Sequence, residues 1–327
     1  MLRTGVIGCG VISLVHIPII INNKNTKLVC VSDIDTNKLK ELEEKHQCKG
    51  YQDYKTMIDE ENLDVVHICT PHYLHKEMII YALEKGVNVL CEKPVVMNMK
   101  EASQVEKVLE KSSTKLGVVL QNRLNPTSII LKKYVDEKTL GEVKGIRAFV
   151  NWYRPAGYYT ESDWRGKYAT EGGGVLINQA IHTLDLMQWL GGEIEWVEGS
   201  HNTRLLRDYI EVEDTAEAIL KYSNGAIGLF YATNCYVDNR PVEIEVLFEE
   251  GALRLINNAL YLQKEKSFEL LAKEQVTKSV KNYFGISHGK LIQNFYNAVL
   301  NDTDNYVSFN EGIKVLKLIE EIRVEEG

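Results

Sequence analysis

Residues 171–186 read Glu-Gly-Gly-Gly-Val-Leu-Ile-Asn-Gln-Ala-Ile-His-Thr-Leu-Asp-Leu, a glycine loop running into a helical pattern. Asn178, His182 and Asp185 recur there at i, i+4 and i+7, which puts them on one helical stripe. Ile177, Ala180, Ile181, Leu184 and Met187 take the opposite side and face a core. An imidazole held on a packed helix behind a flexible glycine loop is equipped for acid/base work in a closed pocket. A second reactive group is Lys93 of Glu92-Lys93-Pro94, at the C-terminal edge of an apolar strand where open parallel sheets bind ligands. A cis Lys93–Pro94 peptide would turn the chain sharply and aim the ammonium into the cleft.

The N-terminus supplies a complementary motif. A strand at 4–7 leads into Gly8-Cys9-Gly10-Val11-Ile12-Ser13 and then a helix. Gly8 permits the tight turn, and Gly10 removes the side chain where a pyrophosphate must approach. The free N–H groups at Val11, Ile12 and beyond present the positive end of the helix dipole. Ser13 stands where the third glycine of the pattern usually falls. Asp33 lies 23 residues beyond Gly10, at the end of the second strand, placed to bond the adenosine ribose hydroxyls. A carboxylate there repels a 2′-phosphate, and its neighbour is Ile34 rather than arginine, so NAD(H) is expected over NADP(H).

Strands at 4–7, 28–32, 65–70, 87–91 and 116–121 alternate with helices such as 36–46, 73–85 and 100–111. That alternation predicts a doubly wound parallel sheet in a Rossmann domain over 1–121. Residues 122–327 read as a second, α+β domain with a large, mostly antiparallel open sheet. It opens with a helix at 127–136 and continues with strands at 143–154, 194–204, 213–223, 227–235, 242–250 and 251–262; helices at 288–300 and 310–324 close the chain. Asn224-Gly225 is a type I′ hairpin signal, since both residues tolerate positive φ, and Glu250-Gly251 marks another tight connection.

A chain of 327 residues accommodates two cores, and its net charge of −8 argues against nucleic acid or an anionic membrane as partner. No apolar run is long enough to span a bilayer, and the strand beginning just after Met1 leaves no room for a signal peptide. The 6 cysteines (Cys9, Cys30, Cys48, Cys69, Cys91 and Cys235) form no CxxC pair and read as reduced thiols of a cytoplasmic protein. The 8 histidines show no zinc-ligand spacing, so no metal is expected.

Taken together, GCGxIS, the acidic second-strand end, CTPxxxH (Cys69-Thr70-Pro71 to His75), CEKP (91–94) and WRGxxxxEGGGxLxNQxIHxxDLxxWLxG (164–192) resemble the Gfo/Idh/MocA oxidoreductases over essentially the whole chain. The resemblance implies hydride exchange between a nicotinamide and a ring carbinol carbon of a sugar, cyclitol or related polyol. It also implies a homodimer or homotetramer assembled through the C-terminal sheet. Carried over, Lys93 and His182 are the catalytic residues and Asp33 the ribose acceptor. Thr70, Pro71, His75, Glu92, Lys93, Gln121 and Trp164 join the cofactor site. Lys93, Asn178, Arg123, Tyr159 and Arg165 are candidates for the substrate, with Arg154 and Tyr158 nearby; Asp185 is expected to hold an arginine or its own helix. Many members carry aspartate where this chain has Asn178, and an amide orients but cannot act as a base. The alternatives are a 3-dehydrogenase of a nucleotide-linked or phosphorylated sugar and, in a different class, a non-catalytic NAD(H)-sensing regulator. Retention of both Lys93 and His182 favours an enzyme.

Overall fold

The computed structural model describes residues 1–264, 267–274 and 287–324. It divides into two compact units, Met1–Gln121 with Ile286–Ile313, and Asn122–Gly285 with Lys314–Gly327.

The first unit runs β1 (Leu2–Ile7), α1 (Ser13–Asn22), β2 (Thr26–Ser32), α2 (Thr36–His46), β3 (Lys49–Tyr51), α3 (Tyr54–Glu60), β4 (Val65–Ile68), α4 (His72–Glu84), β5 (Asn88–Cys91), α5 (Met99–Leu109) and β6 (Leu116–Val118). All six strands pair in parallel in the order β3-β2-β1-β4-β5-β6. The sheet therefore reverses direction between β1 and β4, and the loops at that switch point are where such folds hold a ligand. β4 and β5 are buried on both faces, as a sheet covered by helices on each side requires. Short side chains cap the helices: Asp35 accepts from the Asn37 amide, Asp53 from Lys55 and Thr56, and Asn98 from Glu101. β3 and α3 escaped the sequence pattern because each is short, and only Met57 and Ile58 of α3 are buried.

The second unit begins within a 3₁₀ turn at Gln121–Leu124, and the strand expected at 116–121 ends at Val118. It continues through α6 (Pro126–Asp136), β7 (Val143–Asn151) and four helical segments, α7 (Gly157–Thr160), α8 (Tyr168–Glu171), α9 (Val175–Asn178) and α10 (Ile181–Gly191). Seven strands follow: β8 (Ile194–Asn202), β9 (Thr215–Tyr222), β10 (Ile227–Thr233), β11 (Glu243–Phe248), β12 (Gly251–Ile256), β13 (Ala259–Lys264) and β14 (Ser267–Lys273). The sheet order is β14-β13-β12-β11-β7-β10-β9-β8, antiparallel throughout except for the parallel pair β7–β10. The chain closes with α11 (His288–Asn301) and α12 (Phe309–Ile322). α11 belongs to the first unit and the boundary falls within α12, so the C-terminal segment is shared rather than wholly part of the second domain.

Three local readings needed correction. The expected single strand at 251–262 is a hairpin, because Asn257 and Asn258 both take positive φ, 52° and 58°. At Asn224-Gly225 only Gly225 is left-handed, φ 85°; the Gly225 amide donates to the Tyr222 carbonyl and the Asn224 side chain accepts from the Ala226 amide. The turn is a type I turn closed by glycine, not type I′. The helix holding His182 is interrupted between α9 and α10, so the Asn178/His182/Asp185 stripe crosses a break.

One face of the second sheet is packed. Ala216, Ala218, Leu220 and Tyr222 alternate inward along β9, and the Tyr222 hydroxyl donates to the Met187 carbonyl of α10 at 3.1 Å. Ile177, Ala180, Ile181, Leu184 and Met187 are buried as their spacing predicts. The outward face exposes Ile219, Ile227 and Leu229.

Candidate functional site

In the first unit the glycine turn is specified by close packing on one side and open space on the other. Gly8 sits at φ 89°, and a Cβ there would lie 2.8 Å from the Cys69 carbonyl. At Gly10 a Cβ would meet nothing within 4 Å. Ser13 Oγ donates to the Gly10 carbonyl at 2.7 Å and fixes the turn onto α1, whose first turn carries no acidic residue. Asp33 is drawn back to this turn: one carboxylate oxygen accepts from the Cys9 amide at 2.7 Å, the other from the Asp35 amide at 2.9 Å. Lys38 Nζ stands 3.9 Å from it. Val11 and Ile34 expose apolar side chains, 61% and 89% accessible, on either side of the turn. An open glycine cradle, unopposed helix N–H groups and an ordered carboxylate form a donor set that fits a dinucleotide with an unsubstituted ribose.

The motif residues after β4 and β5 divide into two kinds. Pro71 caps α4, and the Thr70 hydroxyl reaches Met78 Sδ at 3.4 Å. The Lys93–Pro94 peptide is cis, and Lys93 is half-buried. His75 and Glu92, however, turn inward. His75 is fully buried between the Pro94 carbonyl (2.7 Å) and the Thr70 carbonyl (2.9 Å), so it ties the two loops together.

Glu92 ends a buried chain of hydrogen bonds. Tyr296 Oη lies 2.7 Å from His67 Nε2, His67 Nδ1 lies 2.8 Å from His16 Nδ1, and His16 Nε2 lies 2.9 Å from Glu92 Oε1. With both histidines neutral, every link is satisfied by each group donating to the next, ending on the carboxylate. Burial holds His67 well below the usual imidazole range, as that assignment needs. Burial alone would raise the Glu92 carboxyl, but the hydrogen bond from His16 and the nearby Lys93 charge overcome it and hold the group below the ordinary carboxylate range. The second Glu92 oxygen accepts from the Lys93 amide at 3.3 Å. Glu92, expected at the cofactor, thus joins the buried histidines to the Lys93 backbone. Gln121, also expected at the cofactor, is buried at the start of the 3₁₀ turn.

In the second unit the glycine loop is packed, not flexible. A Cβ at Gly174 would lie 1.8 Å from the Glu213 carbonyl oxygen, and one at Gly173 would lie 1.6 Å from Arg323 Nη2. Arg323 donates to the Gly172 carbonyl at 2.9 Å and to Glu213 Oε1 at 2.8 Å, and Glu213 in turn accepts from the Leu176 amide. α9 and α10 thus leave a rigid turn, from which Asn178 and His182 project half-buried.

Behind that turn lies a polar lattice that the sequence did not reveal. Asn178 Nδ2 donates to Glu171 Oε1 at 2.5 Å, and the other Glu171 oxygen accepts from the Gly166 amide at 2.6 Å. Burial raises the Glu171 carboxyl to about 7, against the pull of the Gly166 and Asn178 donors and the Arg165 charge. Asn234, just past β10, donates to the Tyr159 hydroxyl (2.9 Å) and to Gln179 Oε1 (3.0 Å). Tyr159, expected at the substrate, is buried against Leu206, Ile210 and Val212. Arg123 is likewise withdrawn: it grips Asp185 bidentately, Nε to Oδ2 at 2.9 Å and Nη2 to Oδ1 at 2.6 Å, with both side chains buried. Arg154, Tyr158, Trp164 and Arg165 stay together as a cation–aromatic group beside the turn. Glu171 heads its motif in the sequence. Gln179 and Asn234 carry no local signal, because each acquires its meaning only through contacts across the fold. Among the described residues no group of three or more His, Cys, Asp or Glu side chains is arranged to hold a metal.

Residues 2–120 match the oxidoreductase family with an NAD-binding Rossmann fold, and residues 129–254 match the GFO/IDH/MocA C-terminal domain. Among solved structures, the WlbA dehydrogenase of Chromobacterium violaceum, in complex with NADH and UDP-GlcNAcA, superposes with a TM-score of 0.86 at 29% identity, over 98% of this chain and 92% of that one. The myo-inositol 2-dehydrogenase of Thermotoga maritima is 25% identical over 77% of this chain and 74% of its own length. The scyllo-inositol 2-dehydrogenase (NAD(+)) of Bacillus subtilis is 22% identical over 95% of this chain and 92% of its own. Each of the three is named a dehydrogenase, and none a regulatory protein.

Proposed function

Because the chain belongs to the Gfo/Idh/MocA oxidoreductase family, we propose that it is an NAD-dependent dehydrogenase of a sugar, cyclitol or related polyol, with Lys93 and His182 as its catalytic residues. The observation that carries the reading is that each unit holds a prepared part: an open glycine cradle with Asp33 beside it in the first, and a half-buried imidazole on a rigid turn in the second. Bound NAD(H) supplies the hydride acceptor or donor at its nicotinamide. Gly10 and the first turn of α1 take the pyrophosphate, and Asp33 takes the adenosine ribose.

His182 removes the hydroxyl proton in the oxidation direction and returns it in reduction. Lys93, as ammonium, donates a hydrogen bond to the same oxygen and stabilises the charge that develops there. Asn178 orients the substrate without acting as a base. Glu92 and the histidine chain behind it hold the Lys93 backbone in place. The six unpaired cysteines suit a reducing cytoplasmic setting, and among the described residues no helix is long and apolar enough to cross a membrane. The outward sheet face pairs with a second copy of the chain.

The test is NADH formation across polyols, aldoses, cyclitols and sugar acids, with parallel fluorescence titrations of NADH and NADPH. Turnover with one class and tighter binding of NADH are expected. Lys93→Met lowers turnover by several orders of magnitude while NADH still binds; unchanged turnover in that variant would remove the mechanism.

A further inference from the structure

Glu171 meets two donors, and one of them is free to turn. Its Oε2 accepts from the Gly166 amide at 2.6 Å, and its Oε1 accepts from Asn178 Nδ2 at 2.5 Å. The Gly166 amide is fixed. The residue sits at φ 77°, its carbonyl accepts from the Glu211 amide at 2.8 Å, and a Cβ there would lie 2.8 Å from Ile210. The Asn178 backbone is fixed as well: its amide donates to the Gly174 carbonyl at 3.1 Å, and Asn234 holds the Gln179 side chain beside it at 3.0 Å. What stays adjustable is the last torsion of the Asn178 side chain, whose two orientations exchange the carbonyl and the N–H₂.

The carboxyl decides between these orientations. As a carboxylate, Oε1 accepts, so Nδ2 faces Glu171 and Oδ1 points away. As a neutral acid, Glu171 carries one proton, and Oε2 cannot hold it because the Gly166 N–H already points there. The proton therefore sits on Oε1, where it opposes an N–H and is matched by Oδ1. Half a turn of the amide makes that match and sends Nδ2 outward. Burial raises this carboxyl to about 7, so both forms are populated near neutral pH. Arg165 draws it toward the ionised form and Glu213 toward the neutral one. Glu213 is itself bound by Arg323, which also holds the Gly172 carbonyl. Burial and the Glu171 charge hold the Tyr159 phenol well above its usual range, so it stays neutral. His182 follows four residues on from Asn178, and Asp185 beyond it is paired with Arg123.

Resting on the dehydrogenase reading above, we propose that Glu171 is a positioning residue: by giving or taking a hydrogen bond at Oε1, it sets which end of the Asn178 amide meets a substrate hydroxyl. The carbonyl end commits the hydrogen of that hydroxyl. The N–H₂ end commits its oxygen and leaves the hydrogen to find another partner. A substrate aligned by one end is therefore misaligned by the other. Glu171, 1% accessible, acts through Asn178.

Two readouts test it. NMR of protein isotopically labelled at asparagine, without substrate, follows the Asn178 side-chain amide, identified as the signal that Asn178→Ser removes. Titrated between about pH 5.5 and 8, that signal should shift with a midpoint near 7 in the wild type and stay fixed in Glu171→Gln. The glutamine carbonyl must take the Gly166 N–H, so its own N–H₂ faces Asn178 and holds the amide in the turned orientation. A wild-type signal that does not titrate, or one that titrates equally in Glu171→Gln, would overturn the proposal. In turnover, with any polyol the wild type oxidises, the ratio of KM values between Glu171→Gln and wild type should change about fivefold across the same range, while NADH affinity does not. Both proteins keep His182, so its titration cancels in the ratio. A ratio constant with pH would mean a merely structural role and would also defeat the proposal. Absence of turnover with every polyol would sink the dehydrogenase reading instead, and the amide signal would still decide whether Glu171 turns Asn178.

Discussion

Asn178 gives an N–H to a carboxylate that is already reluctant to ionise, and this sets what each of the two residues can do. Glu171 sits near 7, above its ordinary 4.5, with burial as the main cause. A carboxyl that holds its proton more tightly in the folded than in the unfolded chain stabilises the fold fully below about 4.5. That contribution is lost as the pH rises through about 7, and it amounts to at most about 3 kcal/mol. Unfolding by denaturant at several pH values between about 5 and 7.5 should show stability falling with pH, and Glu171→Gln should flatten that slope. An equally steep slope in the variant would show that another group titrates.

Asn178→Asp sharpens the same point. It places two carboxyls at a separation now spanned by a 2.5 Å hydrogen bond, so at neutral pH one of them must keep a proton. The expected result is turnover that declines above neutrality and a loss of roughly 1–3 kcal/mol in stability there. The sequence exposes Asn178, His182 and Lys93 because their spacing and neighbours are local. It hides Glu171's role, since the effect depends on burial. It also hides Asn234, whose partners Gln179 and Tyr159 lie 55 and 75 residues away along the chain.

At the scale of elements, the position of α10 rests on two anchors. Ahead of it, the loop of three glycines is threaded under Glu213 and Arg323, which explains why Gly173 and Gly174 admit no side chain. Gly174→Ala cannot be absorbed by moving a flexible side chain, because the atom in the way is a backbone oxygen. A cost of about 2–4 kcal/mol follows, measurable by chemical denaturation, together with reduced turnover as Asn178 and His182 shift. The second anchor is the buried Arg123–Asp185 pair, which joins the 3₁₀ turn to α10.

Removing one partner strands a buried charge, so Asp185→Leu should cost about 3–5 kcal/mol. The double change Arg123→Met with Asp185→Leu should recover most of it, because no unpaired charge then remains. A double variant as unstable as the single one would mean that the pair is net stabilising in its own right. Apolar periodicity located α10 and its buried side correctly, yet it could not show the break after Asn178, since the same residues suit a continuous helix. The hairpin at Asn257-Asn258 was lost for a related reason: the strands on either side are equally apolar, and only the left-handed backbone of the two asparagines separates them.

For the molecule as a whole, the informative surface is the side of the second sheet that its own helices do not cover. Leu229 on β10 lies directly opposite Ile219 on β9; they are 48% and 46% accessible, and Ile227 and Leu247 extend the apolar strip. Eight strands spaced about 4.8 Å apart make a surface some 35 Å across, ample for the roughly 800 Å² that each partner of a stable complex contributes. Charged residues interrupt the strip in register: Glu217 faces Tyr231, and Arg147 is paired with Glu245 at 2.7 Å. Such a pattern suits a second copy of the same face, in which apolar centres meet and charges pair at the margins. Sedimentation velocity at micromolar concentration should therefore give the mass of a dimer or tetramer. Leu229→Glu puts a carboxylate at the centre of the strip and should shift the population to smaller species. Leu205→Glu, a change at a more exposed leucine outside the sheet strands, should leave the mass unchanged. A wild-type monomer, or a Leu229→Glu variant that keeps its full mass, would exclude this face as the place where copies meet.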